Sequence, residues 1–272
     1  EADANDTSGA IQVADDMAFL VGLADDVANL PNQTGGVVVS QMVANTALVV
    51  GDFVDTVGYL SSGDGGDNSY EIVAAGTGTV DGGSYIDLDN GLQAKSLFPK
   101  GIYNAKQWGA FGTADDTVQA QAAIDYVLSI GGGDLVFTDG DYNLLSLQLK
   151  SNVNLISEGA NLVKVGGTAG SSILEAEGSL GTSTTLTTSV TTRTNIIDVT
   201  DGSAFSDGDW ILVNSRTYRY TTNGLIAEYA KIISGGGTNT LTLDRNLTFD
   251  YLTGNSSDIA LVSFVENVDI RG

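Results

Sequence analysis

Carboxylates far outnumber basic side chains in this sequence and are the first candidates for chemistry. The 272 residues include 34 Asp and Glu against 11 Lys and Arg, which gives a formal net charge of −23. Hydrolysis of a glycosidic bond uses two carboxylates, about 5–5.5 Å apart for retention or about 6.5–9.5 Å for inversion. Glu175 and Glu177 point to the same face if their segment is a strand. With so many acidic residues, some fall close to each other in sequence by chance. A solvent-exposed strand edge is therefore the simpler interpretation of Glu175 and Glu177. The same interpretation applies to Asp198, Asp201 and Asp250.

A basic and aromatic cluster is the second candidate. It consists of Arg216, Tyr218, Arg219 and Tyr220. Arginine can pair bidentately with the carboxylate of an acidic sugar, and tyrosine can stack on the sugar ring. We predict these four residues as carbohydrate contacts. The alternative is a loop that its own aromatic side chains hold in place. No catalytic residue follows from the sequence.

Two acidic turns offer hard oxygen ligands of the kind that calcium prefers. They are formed by Asp64, Asp67 and Asn68 and by Asp201, Asp207 and Asp209. Neither turn has EF-hand spacing, so we predict no metal site and no cofactor. The chain contains no histidine and no cysteine. Their absence excludes a Ser-His-Asp triad, histidine or thiolate zinc sites and disulfides.

The strong negative charge of the chain indicates which kinds of partner it can bind. Binding to phosphate backbones or to anionic membranes relies on lysine and arginine, so neither nucleic acid nor membrane insertion is predicted. An apolar run of about 18 residues, which a membrane-spanning helix needs, does not occur. Residues 1–10 are acidic and polar and show no signal peptide. Because the chain begins at Glu1 without a methionine, an upstream segment could precede it.

The N-terminal segment has helical spacing. Apolar residues recur at intervals of four, three, four and three at Val13, Met17, Leu20, Ala24 and Val27, before Pro31 ends the pattern. Two heptads do not form a stable isolated coiled coil. The segment is therefore either one amphipathic helix packed on its own or a partner domain, or part of a short helix bundle about a molecular threefold axis.

Short strands and turns follow from Val37 to Leu97. Val37–Val39, Leu48–Val50, Phe53–Val54 and Tyr70–Val73 are strand-like, and the turns are rich in glycine and aspartate. The order of the motifs is Val49–Val54, Gly58-Tyr59, Gly63-Asp64-Gly65-Gly66 and Tyr70. This order resembles the small β-domain that precedes the β-helix in bacteriophage tailspikes. Asp67 and Asn68 stand where that family has further glycines.

The most informative stretch runs from Trp108 to Leu144. Asp115-Asp116-Thr117 precedes an alanine-rich helix whose residues Ala120, Ala123, Ile124, Val127 and Leu128 share one face. We expect Asp115 or Asp116 to accept the free N–H groups of the first turn. The glycines 131–133 permit the left-handed exit into a strand. With Gly109-Ala110 and Tyr142, this stretch resembles the opening of the pectate-lyase-like, right-handed parallel β-helix family.

The pattern after Leu144 predicts the first coils of a β-helix and then a β insertion that interrupts them. Leucines at 145, 147 and 149 alternate with polar neighbours, as on the rungs of a β-helix, although no clean repeat period appears. A Thr- and Ser-rich run at 182–194 favours strands. Gly208-Asp209-Trp210 starts another strand, and residues 229–243 suggest a hairpin. Residues 262–272 look like the β-helix resuming, so the natural protein is expected to continue beyond Gly272.

The predicted fold class is mainly β. A small N-terminal β-domain, preceded by a short helix, leads to the helix-capped start of a right-handed parallel β-helix with a β insertion. The expected boundaries are 1–36 for an N-terminal tail and helix that serve attachment or trimerisation, 37–100 for the small β-domain, and 101–272 for the β-helix, with the insertion at about 180–258.

The resemblance implies a bacteriophage tailspike or tail fibre. Such a protein would be a homotrimer on the virion, attached to phage tail, baseplate or adaptor proteins through its N-terminal region, with a β-helix that binds and degrades host surface polysaccharide. In tailspikes the catalytic residues usually lie farther along the helix or between subunits. The alternatives are a secreted, extracellular bacterial polysaccharide lyase or hydrolase, and a non-catalytic adhesin or structural tail protein.

Overall fold

The chain is mainly β, with three separate hydrophobic cores. A computed structural model describes residues 36–99, 101–167, 171–218 and 225–272. A four-stranded antiparallel sheet comes first, parallel strands follow, and a six-stranded antiparallel sheet interrupts the parallel strands before the C-terminus. The predicted helical seam from Val13 to Val27 lies outside the described residues.

The N-terminal sheet is closed on one face by a short helix. Its strands β1 (Phe53–Asp55), β2 (Ser69–Val73), β3 (Tyr85–Asp87) and β4 (Gln93–Ser96) have the order β1-β2-β4-β3, and helix α1 spans Val39–Val43. Tyr70 and Ile72 on β2 are fully buried together with Met42 of the helix. The strands predicted at 37–39 and 48–50 are wrong. Val39 and Met42 use helical spacing to face the core, and residues 48–52 form a turn around the Asp52 carboxylate.

The Gly63–Gly66 loop is organised by one carboxylate. Asp64 accepts the N–H groups of Tyr59, Leu60, Ser61 and Gly66 at 2.7–3.0 Å. Burial works to raise the pKa of Asp64, but the four backbone donors together outweigh it and hold that pKa below its ordinary value. The aspartate of this motif is therefore a loop-forming residue.

A pH-dependent stability follows for the Asp64→Asn variant. Because the folded-state pKa of Asp64 is depressed, its contribution is present above the unfolded value, near about pH 4, and is lost as pH falls through the folded value. We expect the variant to be less stable than wild type at neutral pH, with the difference shrinking at about pH 3. Thermal unfolding across this range measures it. Asp67→Asn is the control, since the Asp67 side chain makes no hydrogen bond to a described residue. If wild type and Asp64→Asn differed in stability by the same amount at both pH values, the ionised Asp64 carboxylate would not be what holds the loop.

The same loop docks the N-terminal sheet onto the parallel strands. Strand β5 (Ile102–Asn104) leads into a 3-10 helix at Ala105–Trp108. Asn104 Nδ2 donates to the Gly65 carbonyl at 3.0 Å, and a Cβ on Gly66 would lie 2.6 Å from the Lys106 carbonyl oxygen. The buried Trp108 ring stacks on Phe98, with centroids 4.9 Å apart. The glycine at 66 is thus required by close backbone contact.

The parallel strands form successive coils. Strands β6 (Gly133–Leu144), β7 (Leu147–Gln148), β8 (Val153–Lys164), β9 (Leu174–Glu175) and β16 (Ile270–Arg271) give two parallel sheets, ordered β16-β8-β6-β5 and β7-β9. Asp134 pairs with Asn154, so the coil from β6 to β8 takes 20 residues. Inward leucines at 135, 144, 147 and 155 share one core. This arrangement is a parallel β-helix.

Helix α2 (Thr117–Ser129) packs on these coils. Ala120, Ala123, Ile124 and Val127 have no exposed surface and belong to the core of the parallel strands. Leu128, predicted on the same face, is 39% exposed, since it lies on the margin of that face. Small alanines let the helix approach the strands closely.

The Asp115-Asp116-Thr117 motif connects the helix start to its surroundings. Asp115 Oδ1 accepts the Thr117 N–H at 3.0 Å, as predicted for a residue at the helix start. Asp116 makes no such bond within the helix. Its buried carboxylate instead accepts the N–H groups of Phe111, Gly112 and Asn143 at 2.7–3.0 Å. The second aspartate therefore joins the preceding loop to strand β6.

The glycine exit from the helix allows a matched pair of variants. Gly131 and Gly132 have φ of +101° and +99°, and a Cβ on Gly132 would lie 2.3 Å from the Asn152 carbonyl oxygen. A Cβ on Gly131 meets nothing within 4 Å. We expect Gly131→Ala to cost about 1–2 kcal/mol from backbone strain alone, and Gly132→Ala to cost clearly more, because it also displaces a backbone carbonyl. Denaturant unfolding measures both. Equal costs would contradict the close approach of residues 132 and 152.

A six-stranded antiparallel sheet interrupts the coils. It contains β10 (Ser179–Thr185), β11 (Ile196–Asp198), β12 (Trp210–Tyr218), β13 (Leu225–Ser234), β14 (Thr240–Leu243) and β15 (Asp258–Ser263), in the order β10-β15-β12-β13-β14-β11. The predicted hairpin is confirmed by the pairing of β13 with β14. The core of this sheet includes Phe205, Ile211, Val213 and Tyr251. The Tyr251 hydroxyl donates to the Glu228 carboxylate at 2.9 Å. The pKa of Tyr251 is raised, mainly by burial and secondly by this hydrogen bond.

The chain then returns to the parallel strands. Leu155 donates its N–H to the Asp269 carbonyl at 2.9 Å, and β16 pairs in parallel with β8, joining Arg271 to Ile156. A column of polar side chains marks the register outside the coils. Asn154 Nδ2 donates to Asp134 at 2.7 Å, and Asn154 Oδ1 accepts the Asp269 N–H at 3.1 Å. The parallel β-helix therefore resumes after the antiparallel sheet.

Candidate functional site

An apolar and aromatic surface lies on the outer face of the antiparallel sheet. Ile211 and Val213 point into the core, so Trp210 and Leu212 point outward, because successive strand residues alternate. Tyr229 lies opposite Leu212 on the neighbouring strand. On the other side, Val262 lies opposite Trp210 and Leu180 lies opposite Val262. The pairing thus gathers apolar residues from four strands on one face.

A cleft opens where this surface meets the segment that leaves the coils. Its volume is about 340 Å³, which is in the range of small-ligand sites. The lining residues include Glu177, Leu180, Leu212, Tyr229, Val262 and Phe264. Gly178, at the cleft wall, has no room for a side chain, since a Cβ there would lie 2.5 Å from the Ser263 carbonyl oxygen. The wall is therefore held close to strand β15.

Three aromatic rings support one another at this cleft. The Phe264 ring lies 5.9 Å from the Tyr229 ring at 58° and 5.7 Å from the Trp210 ring at 82°. Such tilted and edge-on contacts are favourable ring geometries. Tyr229 is 50% and Phe264 39% exposed, so both rings keep a solvent-facing surface despite these contacts. They present partly rigid apolar faces to solvent, suited to the apolar face of a sugar ring.

Glu177 is the charged residue among those lining the cleft. It is exposed, and its carboxylate has no hydrogen bond or ion pair with any described residue. Glu175, which the sequence pairs with it, instead accepts Gln148 Nε2 at 2.7 Å. The two carboxylates have different surroundings, so the cleft contains one free carboxylate rather than the pair that glycoside hydrolysis uses.

The other acidic candidates have structural partners. Asp198 accepts the hydroxyls of Thr188 and Thr240, Asp201 accepts the Ser203 N–H, and Asp250 accepts the Thr192 N–H. Asp207 and Asp209 accept backbone N–H groups from Gly236 and Ser206. These bonds form turns and join strands. Within the described ranges, no group of three or more acidic residues is arranged to hold a metal ion.

An ion pair borders the aromatic surface. Arg245 donates to both carboxylate oxygens of Asp244, at 3.0 and 2.7 Å, and its guanidinium carbon lies 5.7 Å from the centre of the Trp210 ring. The hydrogen bond from Arg245 is the main reason that the pKa of Asp244 is lowered. Because the pair is exposed, it contributes little to stability. The pair thereby engages the guanidinium that lies against the Trp210 ring, while Lys231 lies opposite Trp210 on β13.

The predicted carbohydrate contacts remain a prediction. Arg216 and Tyr218 belong to β12, but their side chains, like all of Arg219 and Tyr220, lie outside what the structure describes. The same strand contributes Trp210 and Leu212 to the aromatic surface. Sequence reasoning missed Trp210, Tyr229 and Phe264. Alternation along Trp210–Val213 was the available signal, and the approach of Phe264 depends on pairing between distant strands.

No helix in the described part of the chain has both the length and the apolar character to cross a membrane. This finding concerns helices alone.

Comparison with known proteins places the chain beside phage enzymes. No protein-family model matches it. The chain is 30% identical over 156 residues to a capsule K1-specific depolymerase of Klebsiella phage K64-1, covering 55% of this chain and 17% of that protein. The chain resembles phage depolymerases. This similarity confirms the predicted resemblance to the tailspike class of phage proteins.

Two further similarities accompany it. The chain is 34% identical over 90 residues to mannuronan C5-epimerase AlgE3 of Azotobacter vinelandii, covering 29% of this chain and 5% of the epimerase. The Gp54 tailspike of Acinetobacter baumannii bacteriophage AP22, solved with a capsular saccharide, aligns with a TM-score of 0.48 and 20% identity, covering 62% of this chain and 29% of that one. The chain thus spans less than a fifth of the length of the curated relatives that it matches.

Proposed function

We propose that this chain is part of a bacteriophage tailspike that binds and depolymerises host surface polysaccharide. The observation that carries the proposal is the 30% identity, over more than half of the chain, to a phage capsule depolymerase. The parallel coils and the aromatic cleft suit this function, since both present long or concave surfaces on which a glycan can lie. The negative charge favours a neutral or weakly charged glycan over nucleic acid.

The same proposal assigns a role to each of three segments of the chain. Residues 1–36 attach the protein to phage tail, baseplate or adaptor proteins, residues 37–100 form the small β-domain, and residues 101–272 begin the β-helix, with helix α2 capping its open end. The protein is a homotrimer on the virion. Arg216, Tyr218, Arg219 and Tyr220 remain candidate glycan contacts. Catalytic residues are assigned to other parts of the intact protein.

A second candidate is a bacterial polysaccharide-modifying enzyme. The match to a bacterial mannuronan epimerase, over 29% of this chain, is the observation that favours it. Such an enzyme acts without virion attachment. Co-purification with phage particles, probed by an antibody against this chain, separates the two: a signal on virions supports the tailspike, and its absence supports the bacterial enzyme.

The depolymerase assay tests the activity. The intact protein is incubated with purified capsule from candidate hosts, and loss of polymer length is followed by size-exclusion chromatography. We expect shortened glycan from at least one capsule type. Binding to capsule without shortening would leave a non-catalytic adhesin. Light scattering on the same sample tests the subunit number, and a stable monomer would contradict the homotrimer.

A further inference from the structure

The aromatic cleft differs from a hydrolytic site in its chemistry. It has exposed aromatic rings and one free carboxylate, Glu177, but no second carboxylate among its lining residues. Hydrolysis uses two carboxylates. Elimination on a uronic acid needs a cation to neutralise the sugar carboxylate, and the lining residues include none. A group that enters this cleft is therefore held there rather than cleaved there.

The charge of the cleft discriminates among sugars. A uronic acid would bring its carboxylate towards Glu177, and like charges at the surface repel. An uncharged sugar can instead donate hydroxyl hydrogen bonds to the same carboxylate, and bonds to an ionised acceptor are the stronger kind. Two cations lie near Trp210 but not among the lining residues. Arg245 is engaged by both oxygens of Asp244, and Lys231 lies opposite Trp210 on β13.

The size and shape of the cleft set the length of the ligand. A volume of about 340 Å³ accommodates one or two sugar rings. The planes of the Tyr229 and Phe264 rings make an angle of 58° with each other, so their faces form a shallow corner rather than a flat platform. One ring can stack on the exposed face while its edge reaches Glu177.

We propose that this cleft is a non-catalytic subsite for one uncharged pyranose unit, a neutral hexose or an N-acetylhexosamine, of the glycan. Tyr229 and Phe264 stack on the sugar, and Glu177 accepts its hydroxyls and disfavours uronic acids. This inference rests on the proposed function, because it assigns a position for part of the same polysaccharide.

Saturation-transfer NMR on the intact protein tests it with three methyl glycosides: β-glucoside, N-acetyl-β-glucosaminide and β-glucuronide. We expect the two uncharged glycosides to bind about fivefold more tightly than the glucuronide. The Tyr229→Ala/Phe264→Ala variant weakens their binding about tenfold. Phe53→Ala is the matched control, since Phe53 is an exposed phenylalanine on β1 of the N-terminal sheet. Thermal unfolding checks that all variants stay folded.

The Glu177→Gln variant isolates the charge. It should bring glucuronide binding close to that of the glucoside, an effect that a merely structural residue does not produce. Undiminished binding in the double aromatic variant, or equal binding of all three glycosides by wild type, would overturn the inference. Capsule degradation reports separately on the proposed function. Degradation without glycoside binding at the cleft defeats only this inference, and cleft binding without capsule binding or degradation defeats only the proposed function.

Discussion

The Asp116→Ala variant is expected to lose about 3–5 kcal/mol of unfolding free energy. The substitution removes the acceptor of three backbone N–H groups, those of Phe111, Gly112 and Asn143. Each of these three donors then lacks its acceptor. Water cannot easily replace that acceptor, because Asp116 is only 3% exposed. An unsatisfied buried donor costs about 1–3 kcal/mol, and three of them share one acceptor here. Urea unfolding followed by tryptophan fluorescence measures the loss.

Asp115→Ala is the matched control for this prediction. The adjacent aspartate is exposed and bonds only to Thr117, so its loss should cost clearly less than the loss of Asp116. If the two variants were equally stable, the Asp116 carboxylate would not be joining the loop to strand β6. The helix start would then depend on capping alone.

The Ile124→Ala variant is expected to lose about 2–5 kcal/mol, because it leaves a cavity between helix α2 and the coils. Ile124 has no exposed surface and packs in the core that includes Leu135, Leu144 and Leu147. Since these leucines lie on the parallel strands, the cavity weakens the contact that positions the helix. Thermal and denaturant unfolding both report the change.

Val118→Ala on the same helix supplies the comparison. Val118 is 76% exposed, so its truncation should alter the unfolding free energy by no more than about 0.5 kcal/mol. Two variants of similar stability would show that the alanine-rich face is not the one packed on the strands. The proposed capping of the β-helix by this helix would fail with it.

Local patterns predict the local structure of this chain well. The helix at Thr117–Ser129 follows from apolar spacing and the aspartates before it, and its glycine exit follows from the need for positive φ. The hairpin of β13 and β14 follows from two strand-like runs around three glycines. In each case the cause lies within a few residues of the effect.

What the sequence could not predict depends on distant partners. The repeat period was hidden because the coil of 20 residues is followed by one that contains the whole antiparallel sheet. The β-branched run 37–39 leads into a helix that begins at Val39, because the apolar residues at 39 and 42 face the N-terminal core. The aromatic cleft joins residues from four strands and from the segments flanking the sheet, a register that no single segment specifies.

The most direct test of the fold is a disulfide between residues 156 and 271. Arg271 pairs with Ile156 although 115 residues separate them, and adjacent strands lie about 4.8 Å apart, within the span of a disulfide. Because the chain has no native cysteine, an Ile156→Cys/Arg271→Cys variant gives a clean result. Asp134→Cys/Arg271→Cys is the control, since β8 lies between those strands. A β-helix that resumes after the antiparallel sheet predicts a disulfide-linked peptide in the mass spectrum of the folded 156/271 variant only. Two free thiols in that variant would contradict it.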